Sequence, residues 1–395
     1  MRKIILRILI LHNKYIQHGG EDTVFELEKK MLNSKTNTVD TVVLDNKKIL
    51  SSDNFKNLLL LVKLNNLNRI RATVDHFSTS AFNVAHVHNF FPLFTPNIHR
   101  VLAEKKIPRV QTLHNYRIIC PGALLTRNGS PCELCVQGTF RYSVIHKCYR
   151  DSRILSLLVA QMNHTHRKEN TWQTYINRFI SLTQFAKDKF VDSGISKHLI
   201  SVKPNFIFDP YRESKFHLEN RAGAVYVGRL SEEKGIDTLL LGWKRITPIL
   251  KIVGVGPFLL SRQTLQPNIF IMGQQMQPET YGIIASSCFL VLPSTCYEGF
   301  PMVILEAFAH GTPVLCSRLG SMAEIVEDGV TGLHFEAGNP DDLAEKAQWM
   351  FDHPIQVREM GENARQEYLK KYTPEVNYKM LMNIYREAIE DAKNR

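Results

Sequence analysis

Two glutamates, Glu298 and Glu306, bracket the stretch EGFPMVILE in the second half of the chain. The apolar run 289–292 precedes them and a helical pattern follows, which predicts a strand, a Gly/Pro turn and a helix start. Backbone N–H groups in the first turn of a helix have no partner within the helix, and they attract anions. Carboxylates accept hydrogen bonds from hydroxyl groups. The segment could therefore hold a phosphate and several hydroxyls, although an ordinary acidic helix start is the alternative for the two glutamates alone.

Two cations lie upstream, in AVYVGRLSEEKGIDTLL. There the apolar strand 224–227 is predicted to enter Gly228 and then a helix that begins near Ser231. Arg229 and Lys234 thus follow the carboxyl end of a strand, where parallel sheets bind their ligands. Two cations suit a diphosphate, whereas solvated charges at a helix start are the alternative for this pair alone. Together with the paired glutamates, they indicate a site for a nucleotide-sugar.

The same alternation of short apolar strands, polar or glycine-containing turns and helical stretches runs along the chain. Such alternation predicts the α/β class, with doubly wound parallel sheets. The further strands predicted in this way are 4–11, 84–87, 109–113, 179–182, 249–253, 269–272 and 314–316.

Four motifs in order in the second half are GRLSEEKG (228–235), VGVGP (253–257), EGFPMVILEAFAHGTPV (298–314) and GLHFEAGNPDDLAEKA (332–347). This set resembles the retaining glycosyltransferases of family 4, also called group 1, which have the GT-B fold. The resemblance implies two Rossmann-like doubly wound domains that face a central cleft. It also implies a UDP- or GDP-sugar as donor and no metal in catalysis.

The resemblance assigns roles to single residues. Arg229 and Lys234 would neutralise the donor diphosphate, Glu306 would bind the ribose hydroxyls, and Glu298 would grip the sugar together with the backbone that follows it. The donor-binding set implied in this way is Gly228, Arg229, Lys234, Gly254, Glu298, Gly299, Phe300, Pro301, Met302 and Glu306.

Gly19 and Gly20 lie between the first predicted strand and the helical stretch EDTVFELEKKML. Glycine lets a backbone approach a phosphate or an acceptor closely, and the resemblance extends to this loop. The helix start that follows, Glu21 and Asp22, is more acidic than an anion site prefers.

His114 follows the predicted strand 109–113, at its carboxyl end. The resemblance implies that this imidazole contacts the donor sugar, where it orients the sugar or stabilises charge, and domain closure would bring it and the Gly19–Gly20 loop to the donor. A packed, hydrogen-bonded loop histidine is the alternative. His86 and His88 are alternatives to His114, but alternation places both on one face of a strand and indicates packing.

Four of the seven cysteines fall in one segment: Cys120, Cys132, Cys135 and Cys148. Four thiols can form a tetrahedral zinc site that stabilises a long loop. Only Cys132 and Cys135 form a CxxC pair, so structural zinc, unmodified thiols and disulfides all remain open.

The 395 residues, 44% of them apolar and 22% charged, suit a globular chain of two domains. The predicted division is an acceptor-side domain at 1–205 with a cysteine-bearing loop at 115–150, a linker at 206–220 and a donor domain at 221–373. By resemblance, a last helix at 374–395 returns to the first domain.

The net charge of +11 is uneven, since residues 1–220 hold 32 Lys and Arg against 17 Asp and Glu. A basic acceptor-side domain suits an anionic membrane surface or an acidic glycan. The stretches 56–71 and 153–168 could lie at a membrane interface, although core-packed amphipathic helices are the alternative. No apolar run is long enough to span a bilayer, Arg7 interrupts the apolar start, and no nucleic-acid motif accompanies the charge.

These patterns predict a cytoplasmic or peripheral membrane enzyme. It would transfer a sugar, with retention, to a hydroxyl of a glycan or lipid-linked glycan in bacterial surface polysaccharide assembly. A sugar-nucleotide epimerase or phosphorylase of the same fold, or a non-catalytic sugar-nucleotide-binding partner subunit, are the alternatives.

Overall fold

The chain folds into two α/β units, each with a six-stranded, all-parallel sheet. The structure, a computed structural model, describes residues 5–15, 19–35, 37–47, 67–77, 82–211, 221–258 and 266–394. Unit 1 comprises Met1–Ala123, Glu133–Asn205 and Asn377–Arg395, and unit 2 comprises Leu124–Cys132 and Phe206–Val376.

Fourteen strands are found within the described residues. In chain order they are β1 Arg7–Lys14, β2 Thr38–Asp45, β3 Val84–Asn89, β4 Arg109–Leu113, β5 Thr126–Arg127, β6 Ser130–Pro131, β7 Arg178–Ser181, β8 Ile200–Val202, β9 Ala224–Val227, β10 Leu250–Val253, β11 Ile269–Gly273, β12 Phe289–Leu292, β13 Val314–Ser317 and β14 Gly332–Phe335.

The α-helices alternate with these strands across the described ranges. They are α1 Gly20–Asn33, α2 Leu67–Phe77, α3 Asn97–Glu104, α4 Arg141–Ile145, α5 Arg153–Lys168, α6 Thr171–Thr174, α7 Gln184–Asp192, α8 Ile236–Trp243, α9 Gln277–Ala285, α10 Met302–Ala309, α11 Gly320–Ile325, α12 Pro340–Asp352, α13 Pro354–Lys371 and α14 Pro374–Asn394. None of the helices described is both long and apolar enough to cross a membrane.

The sheet of unit 1 has the strand order β2-β1-β3-β4-β7-β8. Its inner strands β1, β3 and β4 are almost wholly buried, and β1 appears in the sequence as an apolar run, whereas β3 and β4 also carry buried polar side chains. The first strand begins at Arg7 instead of residue 4, and Arg7 donates to Asp40 on β2 at 3.0 Å. The order reverses between β1 and β3, so the loops after these two strands flank the place where such sheets bind ligands.

The sheet of unit 2 has the order β11-β10-β9-β12-β13-β14. Strands β9 and β12 lie at its point of reversal and have the predicted bounds. The helix predicted from near Ser231 begins later: a single 3-10 turn, Glu232–Lys234, precedes α8. Gly235, at φ 71°, separates the two, because a left-handed residue cannot continue a right-handed helix.

The last helix, α14, packs on unit 1. Tyr385 bonds to His86 at 2.8 Å, Asn377 accepts from Lys203 at 3.0 Å, and Asp391 pairs with Arg178 at 3.0 Å. Residues 206–211 of the predicted linker belong to unit 2, and 212–220 lie outside the described residues.

The predicted cysteine-bearing loop is divided between the units. The hairpin of β5 and β6 groups with unit 2, in contrast to the prediction that 115–150 belongs to the first domain. Its tip, Gly129, explains the difference, because a Cβ there would lie 3.8 Å from the Glu232 carboxylate in the turn after β9.

Candidate functional site

The loops after β9 and β12 bring a predicted cation and a predicted acid together in unit 2. Lys234 Nζ donates to Glu298 Oε1 at 2.5 Å, and Ser294 Oγ donates to the same oxygen at 2.6 Å. A backbone bond from Thr295 N–H to the Glu233 carbonyl, 3.0 Å long, also joins the two loops. Burial alone would lower the pKa of Lys234, but Glu298 outweighs it and the pKa is raised. The ammonium therefore stays charged at the reversal point of the sheet.

Arg229 lies in the same turn but has a different partner. Its guanidinium donates to the Glu233 carboxylate, which also accepts from Ser231 Oγ at 2.7 Å. The Arg229 side chain is half exposed. The structure thus brings Lys234 and Glu298 into direct contact and places Arg229 in the adjoining turn, paired with Glu233.

Glycines allow these loops to approach each other closely. A Cβ on Gly235 would lie 1.8 Å from the carbonyl oxygen of Pro293, which follows β12. A Cβ on Gly254, at φ 137°, would lie 1.9 Å from the carbonyl oxygen of Gly228. Any other residue would force the loops apart, so the GRLSEEKG and VGVGP motifs share one packed backbone structure.

The remaining predicted donor residues follow β12. Phe300 and Pro301 are buried, and α10 begins at Met302, so the first-turn N–H groups begin two residues after Phe300. Glu306 lies one turn further along. Burial raises the pKa of the Glu306 carboxyl to about 7, and no described residue forms a hydrogen bond with that carboxylate.

The glycine loop in unit 1 begins α1. Gly19 is the N-cap, and its N–H donates to Asp22 Oδ2 at 2.9 Å. Asp22 Oδ1 bonds to His12 Nε2 at 2.8 Å. The acidic start that appeared unsuited to an anion is therefore turned inward, and Asp22 is compensated within the unit.

Glu21 is the second acid of this helix start, and it contacts the loop after β4. The Asn115 amide donates to its carboxylate. Burial is the main reason why the pKa of Glu21 rises to about 7. Tyr15, Asn115 and His114 line one pocket, together with Arg117 and residues of β3 and β4.

His114 belongs to a buried histidine network. Its Nε2 lies 3.0 Å from His88 Nδ1, and the two rings stack with centroids 5.2 Å apart. His88 Nε2 lies 3.2 Å from Glu28 Oε1, and His86 Nδ1 lies 2.9 Å from the same oxygen. Burial and the neighbouring His88 hold the pKa of His114 well below its usual range, so the ring is neutral.

Two members of this network were missed by sequence reasoning: Glu28 and Lys203. Lys203 Nζ donates to Glu28 Oε2 at 3.2 Å, and both residues are almost fully buried. Glu28 carries a weak sequence signal, since it lies on the apolar side of α1 between Phe25 and Leu32. Lys203 carries none, because it follows a short strand like any solvated residue.

The four predicted zinc ligands, all of them described, are not among the residues whose ligand atoms lie close enough together to hold a metal ion. No two of the seven cysteines, all of which are described, form a disulfide. Cys120 and Cys148 both lie beside Gly122, whereas Cys135 packs against Phe140. Among the described residues, the group whose ligand atoms are close enough for a metal is Glu28, His86 and His88. The four thiols therefore do not fit a tetrahedral zinc ion as arranged.

Comparison with known proteins bears on this site. A profile of the family described as glycosyl transferases group 1 matches residues 208–367. An uncharacterised glycosyltransferase of Methanocaldococcus jannaschii is 32% identical over 41% of this chain and 47% of that protein. The lipopolysaccharide 1,2-N-acetylglucosaminetransferase of Salmonella typhimurium is 28% identical over 40% and 48%. The chain thus spans about half the length of these curated relatives.

The whole chain resembles solved structures. HepE of Anabaena, determined in complex with UDP and glucose, has a TM-score of 0.68 at 15% identity and covers 96% of this chain and 99% of its own. The sucrose-phosphate synthase of Thermosynechococcus elongatus has a TM-score of 0.67 at 16% identity and covers 97% and 100%. Residues 208–367 therefore match the group 1 glycosyltransferase family, and the described chain has the GT-B fold.

Proposed function

We propose that this protein is a retaining glycosyltransferase that moves a sugar from a nucleotide-diphosphate donor to a hydroxyl of a glycan or lipid-linked glycan. The observation that carries the proposal is the Lys234–Glu298 pair at the reversal point of the unit 2 sheet. An ammonium there neutralises the departing diphosphate, and a carboxylate beside it accepts from sugar hydroxyls. Similar structures determined with UDP and with UDP-glucose support a UDP-sugar as donor.

The arrangement suits a reaction without a divalent ion. Lys234 and Arg229 supply positive charge where charge develops on the leaving group, which is what a metal would otherwise contribute. We assign Gly228, Gly254 and the backbone from Gly299 to Met302 to donor binding. His114 contacts the transferred sugar in this proposal, as the resemblance implies.

The acceptor is proposed from the Salmonella relative, whose name refers to lipopolysaccharide. The basic first half suits an anionic or lipid-linked acceptor. We therefore propose a role in bacterial surface polysaccharide assembly at the cytoplasmic face of the membrane.

A donor panel tests the reaction. UDP- and GDP-sugars are incubated with the protein and a lipid-linked glycan extract, and products are identified by mass spectrometry and NMR. We expect a glycosylated lipid whose anomeric configuration matches that of the donor. An inverted product would refute retention. Epimerised donor, sugar 1-phosphate formed with inorganic phosphate, or binding without turnover would each refute transfer.

Glu306 makes donor binding dependent on pH. Only the carboxylate form of Glu306 accepts hydrogen bonds from both ribose hydroxyls. Its pKa of about 7 lies close to neutral pH, so the two forms interconvert there. We expect UDP affinity, measured by calorimetry, to rise several-fold between about pH 6 and about pH 8. In Glu306→Gln the pH dependence should disappear and UDP affinity at about pH 8 should fall by about tenfold.

The stability of the folded protein should fall as pH rises, whereas UDP affinity should increase. The folded-state pKa of Glu306 lies above its value of 4.5 in the unfolded chain, so stability is lost as pH rises from there through about 7. Glu306→Gln should therefore be more stable than the wild type at about pH 8, by about 1–3 kcal/mol, and no more stable at about pH 4. Thermal unfolding measures both. A Glu306→Gln variant that binds UDP as tightly as the wild type and is no more stable at about pH 8 would contradict the role assigned to Glu306.

Unit 1 carries an exposed apolar and basic segment that suits the membrane. Ile145, Ile154 and Leu157 are 61%, 55% and 53% exposed. Arg150 and Arg153 are exposed in the same segment. Stretch 153–168 is thus a helix that buries one face and leaves apolar side chains outside; the other stretch, 56–71, lies mostly outside the described residues. Apolar insertion beside basic charge is how peripheral helices bind anionic lipid.

Vesicle binding tests this surface. We expect co-sedimentation with phosphatidylglycerol vesicles, weakened by salt, and a loss of about tenfold in Ile154→Glu/Leu157→Glu. Ile355→Glu is the matched control, since Ile355 is also exposed but lies in unit 2. Equal binding by the double variant and the wild type would refute the membrane surface.

A further inference from the structure

A chain of buried polar side chains leads through unit 1 to His114. Lys203 Nζ donates to Glu28 Oε2 at 3.2 Å, Glu28 Oε1 faces His88 Nε2 at 3.2 Å, and His88 Nδ1 faces His114 Nε2 at 3.0 Å. The residues come from α1, β3 and the segments that follow β4 and β8. All four are buried, so water does not compete for these contacts.

The direction of each hydrogen bond follows from the lysine. An ammonium can only donate, so the carboxylate beside it accepts. Burial would raise the pKa of Glu28, but Lys203 and the histidines outweigh burial and keep the pKa well below its usual range. An ionised carboxylate has no proton to give, so His88 must donate from Nε2.

The second step concerns the two imidazoles. Burial lowers the pKa of His88 to about 4, so the ring is neutral and carries one proton. With that proton on Nε2, the Nδ1 of His88 is a lone pair. Of two nitrogens 3.0 Å apart, one must donate, and only His114 Nε2 can do so.

We infer that Glu28 and His88 are positioning residues that hold His114 in the tautomer protonated on Nε2, which leaves its Nδ1 as a hydrogen-bond acceptor for a substrate hydroxyl. The substrate in this inference rests on the proposed function. The consequence is a specificity: the group that meets His114 must be able to donate. A hydroxyl can do so, whereas a fluorine, an ether or a carbonyl oxygen cannot.

His86 supports the same direction. Its Nδ1 lies 2.9 Å from Glu28 Oε1 and its Nε2 lies 2.7 Å from Thr112 Oγ1. If His86 donates from Nδ1 to the carboxylate, Thr112 donates its hydroxyl proton to Nε2, and the Tyr385 hydroxyl oxygen, 2.8 Å from Nδ1, shares the Nδ1 proton as a second acceptor. The reverse tautomer would set two lone pairs against each other at Glu28.

A metal at Glu28, His86 and His88 would be bound through lone pairs of both histidines. His88 would then carry its proton on Nδ1 and donate to His114, which is the reverse of the direction inferred above. Lys203 argues against this arrangement. Its ammonium already provides the positive charge beside Glu28, at 3.2 Å from the carboxylate. A second cation there would be repelled.

The test is the tautomer itself, read without any substrate. Selectively ¹⁵N-labelled histidine is introduced, long-range ¹⁵N–¹H spectra are recorded near neutral pH, and His114 is assigned by its loss in His114→Gln. We expect a proton on His114 Nε2 and none on Nδ1. A proton on Nδ1, or bound zinc with that reversed pattern, would overturn the inference. An inactive protein with the expected tautomer would refute only the proposed function.

Variants of His88 separate positioning from packing. His88→Asn keeps an acceptor oxygen toward His114, and His88→Leu does not. We expect the Nε2–H tautomer in His88→Asn and a mixture of both tautomers in His88→Leu, with both variants folded by thermal unfolding. Should His88→Leu lose its fold, the His88→Asn spectrum decides. A pure Nε2–H tautomer in a folded His88→Leu would also overturn the role of His88.

The specificity is tested with donor analogues. Deoxyfluoro UDP-sugars, one for each hydroxyl of the accepted donor, are compared with the parent sugar by kcat/KM. We expect one position at which the loss is about tenfold greater in the wild type than in His114→Ala. An analogue series affected equally in both proteins would refute the acceptor role of His114 and leave transferase activity intact.

Discussion

Lys234→Ala should lower the rate of sugar transfer by about a thousandfold while unit 2 remains folded. The ammonium is the positive charge closest to Glu298, at 2.5 Å, and in the proposed reaction it meets the departing diphosphate. Its removal deprives the leaving group of electrostatic stabilisation and leaves Glu298 with Ser294 as its hydrogen-bond donor. The kcat of transfer and the Kd of UDP are measured together. We expect kcat to fall and the Kd of UDP to rise.

Charge and geometry are separated by matched variants. Lys244→Ala removes an exposed lysine of the same unit, and its transfer rate should stay within about twofold of the wild type. Lys234→Arg keeps the charge but replaces a compact ammonium by a planar fork, so it should recover only part of the rate. Lys234→Ala/Glu298→Ala should lose less than the two single losses combined, because the residues act as a pair. A Lys234→Ala enzyme with wild-type kcat would remove the basis of the proposed function.

Lys203→Met should destabilise the protein by about 3 kcal/mol or more at neutral pH. Lys203 contacts Glu28 at 3.2 Å and Asn377 of α14 at 3.0 Å, in surroundings from which water is excluded. Methionine fills similar space but leaves the Glu28 carboxylate without its cation. Denaturant unfolding followed by circular dichroism measures the loss. Lys197→Met, at an exposed position of the same segment, should change stability by less than about 0.5 kcal/mol.

The pH dependence of that loss has a definite sign. The folded-state pKa of Glu28 is depressed, so its contribution to stability is complete above the unfolded value of 4.5 and is lost as pH falls through the lower folded value. Without Lys203 the carboxyl is protonated more readily. The difference in free energy of unfolding between Lys203→Met and the wild type should therefore become smaller at acidic pH. Lys203→Met/Glu28→Gln should recover part of the stability at neutral pH, and an unrecovered double variant would argue against an unpaired charge as the cause.

Much of the fold follows from local pattern. Strands β9 and β12 have the bounds that their apolar runs predict, because strands covered on both faces are mostly apolar. Boundaries shift where a polar residue takes part in the sheet. Arg7 is an example: it opens β1 instead of interrupting it, since Asp40 on the neighbouring strand pairs with it.

The candidate site was predictable in its composition but not in its pairing. Glycine at 235 and 254 indicates tight turns from sequence, yet only the structure places their neighbours, Pro293 and Gly228. Arg229 and Lys234 looked equivalent as cations. In the structure Arg229 pairs within its own turn with Glu233, whereas Lys234 reaches across to Glu298.

The amino-acid sequence alone determined the α/β class, the motifs that match the group 1 glycosyltransferases and the residue types at the proposed donor site, because apolar periodicity and turn residues act over short distances. The order of the strands in each sheet decided which of these residues come into contact. By setting β9 beside β12, the sheet brings together Lys234 and Glu298 from 64 residues apart, and unit 1 joins Lys203 to Glu28 across 175 residues. Contacts between such distant residues depend on how the strands assemble, and no local pattern encodes that order.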